Sequence, residues 1–164
     1  FDPTNGFTAI HGKVAQELPL DKCHKGYFFE SDMLFQLNMS RAVVVDVPIQ
    51  AIYGNEKSNL KISQVLLLFL AKHVKNFFRR IVYNYFLHDF SIASIELVIG
   101  LIFIAFGSIF GGVEWYKSSI SGITATAGTV IIAALPLLVG SQLIISFLNF
   151  DVHNQPDQPL HRNL

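Results

Sequence analysis

Cysteine is almost absent. Cys23 stands alone in 164 residues, so no intrachain disulfide can form, which fits a reducing compartment. Charge is missing where it would be expected. Residues 118–150 contain no Asp, Glu, Lys or Arg, and residues 57–88 contain no acid. Chemical signatures are missing too. There is no Asp-x-Asp, no Walker loop and no Gly-x-Ser-x-Gly. The six histidines show no metal-ligand spacing, and Cys23-His24 offers two ligands where zinc takes three or four, so the chain itself supplies no metal site. The first residues show no basic stretch followed by an apolar one, so they do not read as a signal peptide. A start at Phe1 rather than Met reads as a piece of a longer chain, cut inside a domain.

What is present is apolar and unevenly placed. Apolar residues make up 51% of the chain, concentrated in its second half. Ser91 to Val113 and Gly128 to Phe150 each give 23 residues, enough at about 1.5 Å per residue for a bilayer core of about 30 Å. They predict two membrane-spanning helices, with the whole hairpin over 91–150. Glu96 is the only charge in the first span. It lies close enough to the start to reach the interface as a helix N-terminal acid, near Arg79 or Arg80. Glu114-Trp115-Tyr116-Lys117 reads as an interfacial belt, with Trp115 and Tyr116 at headgroup level. Pro136 and the small residues Gly128, Ala133, Ala134 and Gly140 predict a kink and close helix packing in the second span.

Residues 60–90 read as basic, amphipathic and interfacial. Leu70, Val74, Phe77, Phe78, Ile81 and Tyr85 fall on one helical face, while Lys72, Lys75, Asn76 and Arg79 fall on another and Arg80 adds a further charge. Such a helix suits the headgroup layer. Six basic residues (Lys57, Lys61, Lys72, Lys75, Arg79, Arg80) precede the first span and only Lys117 separates the two. The positive-inside rule then places both termini in the cytoplasm of a multi-pass inner-membrane protein. A basic stretch joined to a spanning helix does not suit nucleic acid. Residues 151–164, polar and with two prolines, read as a disordered cytoplasmic tail.

Residues 1–59 read as mixed α/β. Phe7 to Ile10 and Arg41 to Val47 are strand candidates, Lys13 to Leu18 and Tyr27 to Met39 helix candidates. Two stretches carry possible chemistry. Glu30 and Asp32 are paired acids beside Phe28 and Phe29, a setting that supplies a base or a hydroxyl contact. At i and i+2 on a helix they do not share a face, so at most one of them points into a site. Tyr53 to Asn59 is a loop whose backbone N–H groups, Lys57 and Ser58 suit a phosphate.

The order of these motifs carries a resemblance. Asp2-Pro3-Thr4-Asn5-Gly6-Phe7, Lys25 to Asp32 (KGYFFESD), Asp46-Val47-Pro48 and Tyr53 to Ser58 (YGNEKS) precede an amphipathic helix and two spans. This resembles the C-terminal half of membrane-anchored family 2 glycosyltransferases, the polyprenyl-phosphate glycosyltransferases related to dolichyl-phosphate mannose synthase. The resemblance implies that residues 1–59 are the C-terminal part of a GT-A, Rossmann-like α/β domain. It implies transfer of a sugar from a nucleotide sugar to a polyprenyl phosphate of the undecaprenyl or dolichyl type, at the cytoplasmic membrane face. Glu30 and Asp32 match the catalytic acidic stretch, and Tyr53, Lys57 and Ser58 match the acceptor-phosphate loop. Relatives often carry Arg before that Tyr-Gly. Here Ala51 and Ile52 stand instead, and Lys57 and Lys61 could compensate the phosphate charge. A divalent metal, Mg or Mn, is implied with ligands outside this chain, as is a homo-oligomer. Two other readings of the same residues are a non-catalytic anchor or assembly subunit and a lipid-flipping or transport hairpin.

Overall fold

A computed structural model describes the chain over residues 7–48 and 62–162, without the side chains of 62–65 and 161. Among the described residues five α-helices run in order: α1 (Gly12–Glu17), α2 (Phe29–Met39), α3 (Ile62–Val82), α4 (Ile92–Ser121) and α5 (Ala127–His153). A π-helical stretch, Tyr83–His88, continues α3. Two compact units divide the chain, one formed by residues 1–84 with 155–164 and the other by 85–154.

The α/β expectation for the first unit is overturned. Among the described residues there is no strand or sheet, and so no Rossmann-like domain. Residues 7–10 and 42–48 are irregular chain. The physical reason is the lack of a partner: a β-branched run needs a neighbouring ladder to become a strand, and Val44, Val45 and Val47 are exposed at 46%, 74% and 67%. The chain reaches this run by a Schellman turn. Arg41 takes a left-handed φ of 53°, its N–H donates to the Asn38 carbonyl, and the Ala42 N–H donates to the Leu37 carbonyl at 2.9 Å. Leu37 and Ala42 then share a small core with Val14, Leu18 and Met33, with Ile10, Leu34 and Leu160 packed against it. Leu160 lies in a single 3-10 turn, Leu160–Arg162, within the segment read from sequence as a tail.

The second unit is a helical hairpin. α4 has 30 residues and α5 has 27, both longer than the stretches marked by hydropathy alone. The turn between them is correspondingly short. Gly122, at φ 67°, caps α4 by donating to the Ser118 carbonyl, and the Thr126 hydroxyl caps α5 by accepting from the Thr129 N–H. Trp115 and Tyr116 therefore sit on α4, at 75% and 64% exposure, rather than in a loop. Pro136 is accommodated inside α5.

Contact between α4 and α5 runs along a seam of small residues. Ala93, Gly100 and Gly107 recur every seven positions on α4 and are buried. Opposite them Gly140 is buried, and Ala133, Leu137, Ile144 and Phe147 continue the same spacing on α5. A seven-residue repeat keeps one stripe of each helix facing its partner. The backbones come close enough that a methyl group at Gly107 would stand 2.8 Å from the Ala133 carbonyl oxygen, and one at Gly140 would stand 2.9 Å from that of Gly100. Most other large apolar side chains of both helices face outward, among them Leu101, Ile109, Ile131 and Leu138. Both helices are long and apolar enough to cross a membrane.

Candidate functional site

Among the described residues of the first unit, Asp32 is the most confined acid, at 4% exposure. One carboxylate oxygen accepts the His24 backbone N–H at 2.9 Å, and the other accepts the Asn76 side-chain amide at 3.0 Å. The first contact ties the loop before α2 to that helix. The second ties α2 to α3. Glu30, two residues earlier, is half-buried and turned to another side of α2. Of the two acids read as a pair, Asp32 alone is therefore fixed by the fold.

Phe28, at 2% exposure, fills the space beside Asp32. The rings of His24, Phe69 and His73 pack edge-on around it with centroids at 5.8, 5.3 and 5.0 Å, and the Lys72 ammonium lies 5.0 Å from its centroid. Arg79 lies 5.6 Å from the centroid of Phe35. Both geometries are cation–π contacts. Next to this cluster, a groove of about 440 Å³ between α2 and α3 is lined by Ser31, Leu34, Phe35, His73, Asn76, Phe77 and Arg80.

Helix α3 consequently has three faces. Phe69, His73, Asn76 and Arg80 turn towards α2. Lys72, Lys75 and Arg79 form a basic side, from which Lys72 and Arg79 reach the rings of Phe28 and Phe35. Leu67, Leu70, Val74 and Phe78 form an apolar stripe left exposed at 76%, 58%, 45% and 60%. Of the stripe expected from periodicity, Leu70, Val74 and Phe78 are exposed, while Phe77 lines the groove against α2. Ile81 and Tyr85 at its end are buried.

The phosphate-loop residues Tyr53, Lys57, Ser58 and Lys61 lie outside the described residues. Cys23 is buried, and burial, then the carboxylates of Asp32 and Asp21, push its thiol above the ordinary value. The divalent metal implied by the resemblance finds no fit here. Among the described residues no three His, Cys, Asp or Glu side chains converge as a metal site.

In the second unit, Tyr85 is buried at 3% exposure and donates to an Asp151 carboxylate oxygen at 2.7 Å. Its ring packs against Phe147 and Phe150. The fully buried Ser94 hydroxyl donates to the Tyr85 carbonyl at 2.6 Å and accepts from the Ser91 N–H at 3.1 Å. Glu96 takes its hydrogen bond from Ser146 of α5 at 3.1 Å.

Sequence reading missed His24, Phe28, His73 and Asn76 as neighbours of Asp32. Only the helical spacing of His73 and Asn76 signalled a common face, and nothing in the sequence ties that face to Asp32. Comparison with family models, with curated proteins and with solved structures gives no match for the chain.

Proposed function

We propose that this chain supplies the acceptor side and the membrane anchor of an enzyme that moves a sugar from a nucleotide sugar to a polyprenyl phosphate. The observation that carries the reading is the confinement of Asp32. It is one of the two acids of the KGYFFESD stretch, and it is bound to Asn76 on a helix whose apolar stripe is left uncovered. An uncovered apolar stripe beside a basic side suits a membrane surface, where a lipid phosphate would arrive. The motif order and the two long apolar helices support the same reading.

The chemistry asks little of a base. A phosphate monoester has a second pKa of about 6, so it is largely dianionic at neutral pH. Its oxygen needs aiming and a donor carbon within reach. Asp32, with both carboxylate oxygens already engaged, acts by position, fixing α2 against α3. Glu30, less confined, remains the acid open to an acceptor. Lys57, Ser58, Lys61 and Tyr53 would take the lipid phosphate.

The reading places α3 on the cytoplasmic surface of a cell membrane with both termini on that side, from the distribution of basic residues. Self-association of the chain would use a face other than the Ala133–Gly140 seam, which the hairpin occupies. A second reading, a non-catalytic anchor or assembly subunit, is favoured by the all-helical character of the described residues. One assay separates them. Membranes carrying the full-length protein are given radiolabelled nucleotide sugars and polyprenyl phosphate. Sugar transfer that falls in Lys57→Ala through a raised acceptor KM supports the enzyme. Absence of transfer with every nucleotide sugar, in membranes where the protein is intact, supports the anchor.

A further inference from the structure

The end of the hairpin where α4 begins and α5 finishes holds a cleft of about 560 Å³. Ser91, Glu96, Ser146, Asn149 and His153 give it polar groups, and Phe150 gives it an aromatic wall. The two hydroxyls and the amide can accept as well as donate. Glu96 is half-buried, and Ser146 engages only its Oε1. The Ser91 Oγ is buried at the start of α4. Asn149 brings an amide oxygen. His153 Nδ1 lies 2.8 Å from the Asn149 backbone carbonyl. A carbonyl only accepts, so Nδ1 carries a proton and donates to it.

A carboxylate with one oxygen left open, beside groups able to accept and an aromatic face, is complementary to a donor-rich cation. It does not suit a phosphate, which would meet like charge at Glu96. We infer that this cleft binds a primary ammonium group, with Glu96 as its counter-charge, Ser91 and Asn149 as hydrogen-bond acceptors and Phe150 as its cation–π face. Glu96 lies about one turn inside α4 and Ser146 about two turns inside α5, so the cleft is at the boundary of a bilayer that the hairpin spans. An aminophospholipid headgroup is the ammonium available at that depth. The inference rests on the hairpin spanning a bilayer and is independent of the sugar-transfer reading.

The test uses the full chain in nanodiscs of phosphatidylcholine with and without phosphatidylethanolamine. Bound lipid is counted by native mass spectrometry after release, and thermal unfolding is followed in parallel. Retention of phosphatidylethanolamine over phosphatidylcholine is expected, because a quaternary headgroup has no N–H to donate. Glu96→Gln, which keeps the size and the Ser146 contact, is expected to weaken retention about tenfold, as for loss of a charge-assisted hydrogen bond. Ser91→Ala, which leaves the hairpin seam untouched, is expected to weaken it less. Protection of the wild type by free ethanolamine in pure phosphatidylcholine, lost in Glu96→Gln, would support the ammonium site and assign it to soluble amines. Equal retention of the two lipids, or a preference unchanged in a folded Glu96→Gln, would overturn the inference.

Discussion

Replacing single glycines of the hairpin by alanine separates close packing from every other role of these helices. At Gly107 the added methyl would meet Leu137 Cγ at 2.7 Å and the Ala133 carbonyl oxygen at 2.8 Å. At Gly140 it would meet the Gly100 oxygen and Ile104 Cγ1, both at 2.9 Å. Leu137 can turn aside, but the carbonyls cannot without moving a helix. Overpacking of this kind costs about 1–3 kcal/mol. Gly→Ala also brings up to about 1 kcal/mol of helix propensity, which complicates any single variant. Gly112 removes the complication. It lies on the same helix with nothing within 4 Å of the added methyl, so Gly112→Ala has the propensity gain without the clash. The difference between Gly107→Ala and Gly112→Ala is then the packing term alone. At about 1–3 kcal/mol it amounts to roughly 5- to 150-fold in the ratio of closed to opened hairpin. Denaturant titration of the detergent-solubilised protein measures that ratio, and spin labels on the outward positions Leu101 and Leu138 report the α4–α5 separation. Equal stability of the Gly107 and Gly112 variants, with an unchanged separation, would refute the seam.

Three further outcomes are expected. Asp32→Ala should destabilise the first unit by about 1–3 kcal/mol, because it strands the His24 N–H and the Asn76 amide. Asp32→Asn, which keeps one acceptor, should cost less, and thermal unfolding ranks the two. Tyr85→Phe keeps the ring against Phe147 but removes a hydrogen bond to a carboxylate. A loss of about 1.5–3 kcal/mol is expected in the denaturant titration that follows the hairpin. Cys23 should react slowly with iodoacetamide at pH 8 in the folded protein and faster once unfolded. Its raised pKa leaves less thiolate in the folded state, and raising the pH through that value should restore reactivity, as a thiol-labelling time course would show.

The sequence readings fared differently according to how local their cause was. Helix α2 appears where Phe28, Leu34, Phe35 and Leu37 mix with polar residues, and α1 stops before Pro19, as local patterning requires. Arg41 to Val47 failed as a strand because its partner would have to come from elsewhere in the fold. The β-branched run is necessary for a strand but does not supply the neighbouring ladder. Asp32 stood out as one of two acids near a helix start, and helical geometry alone said that at most one of them would face inward. Which one was decided by Asn76, forty-four positions away, and by the His24 N–H.

The sequence by itself determined that this protein carries two long apolar helices. Charge is absent from residues 118–150, and no tertiary contact can change what such a run prefers as solvent. It also determined the basic and apolar sides of α3, since both follow from a period of about 3.6 residues. The tertiary structure decided the rest. It selected Gly107 and Gly140 as points of backbone contact while leaving Gly112 open, and it paired Glu96 with Ser146 and Tyr85 with Asp151. Each of these depends on the register of one helix against another, and register is set by the shapes of two surfaces together, which neither stretch of sequence contains alone.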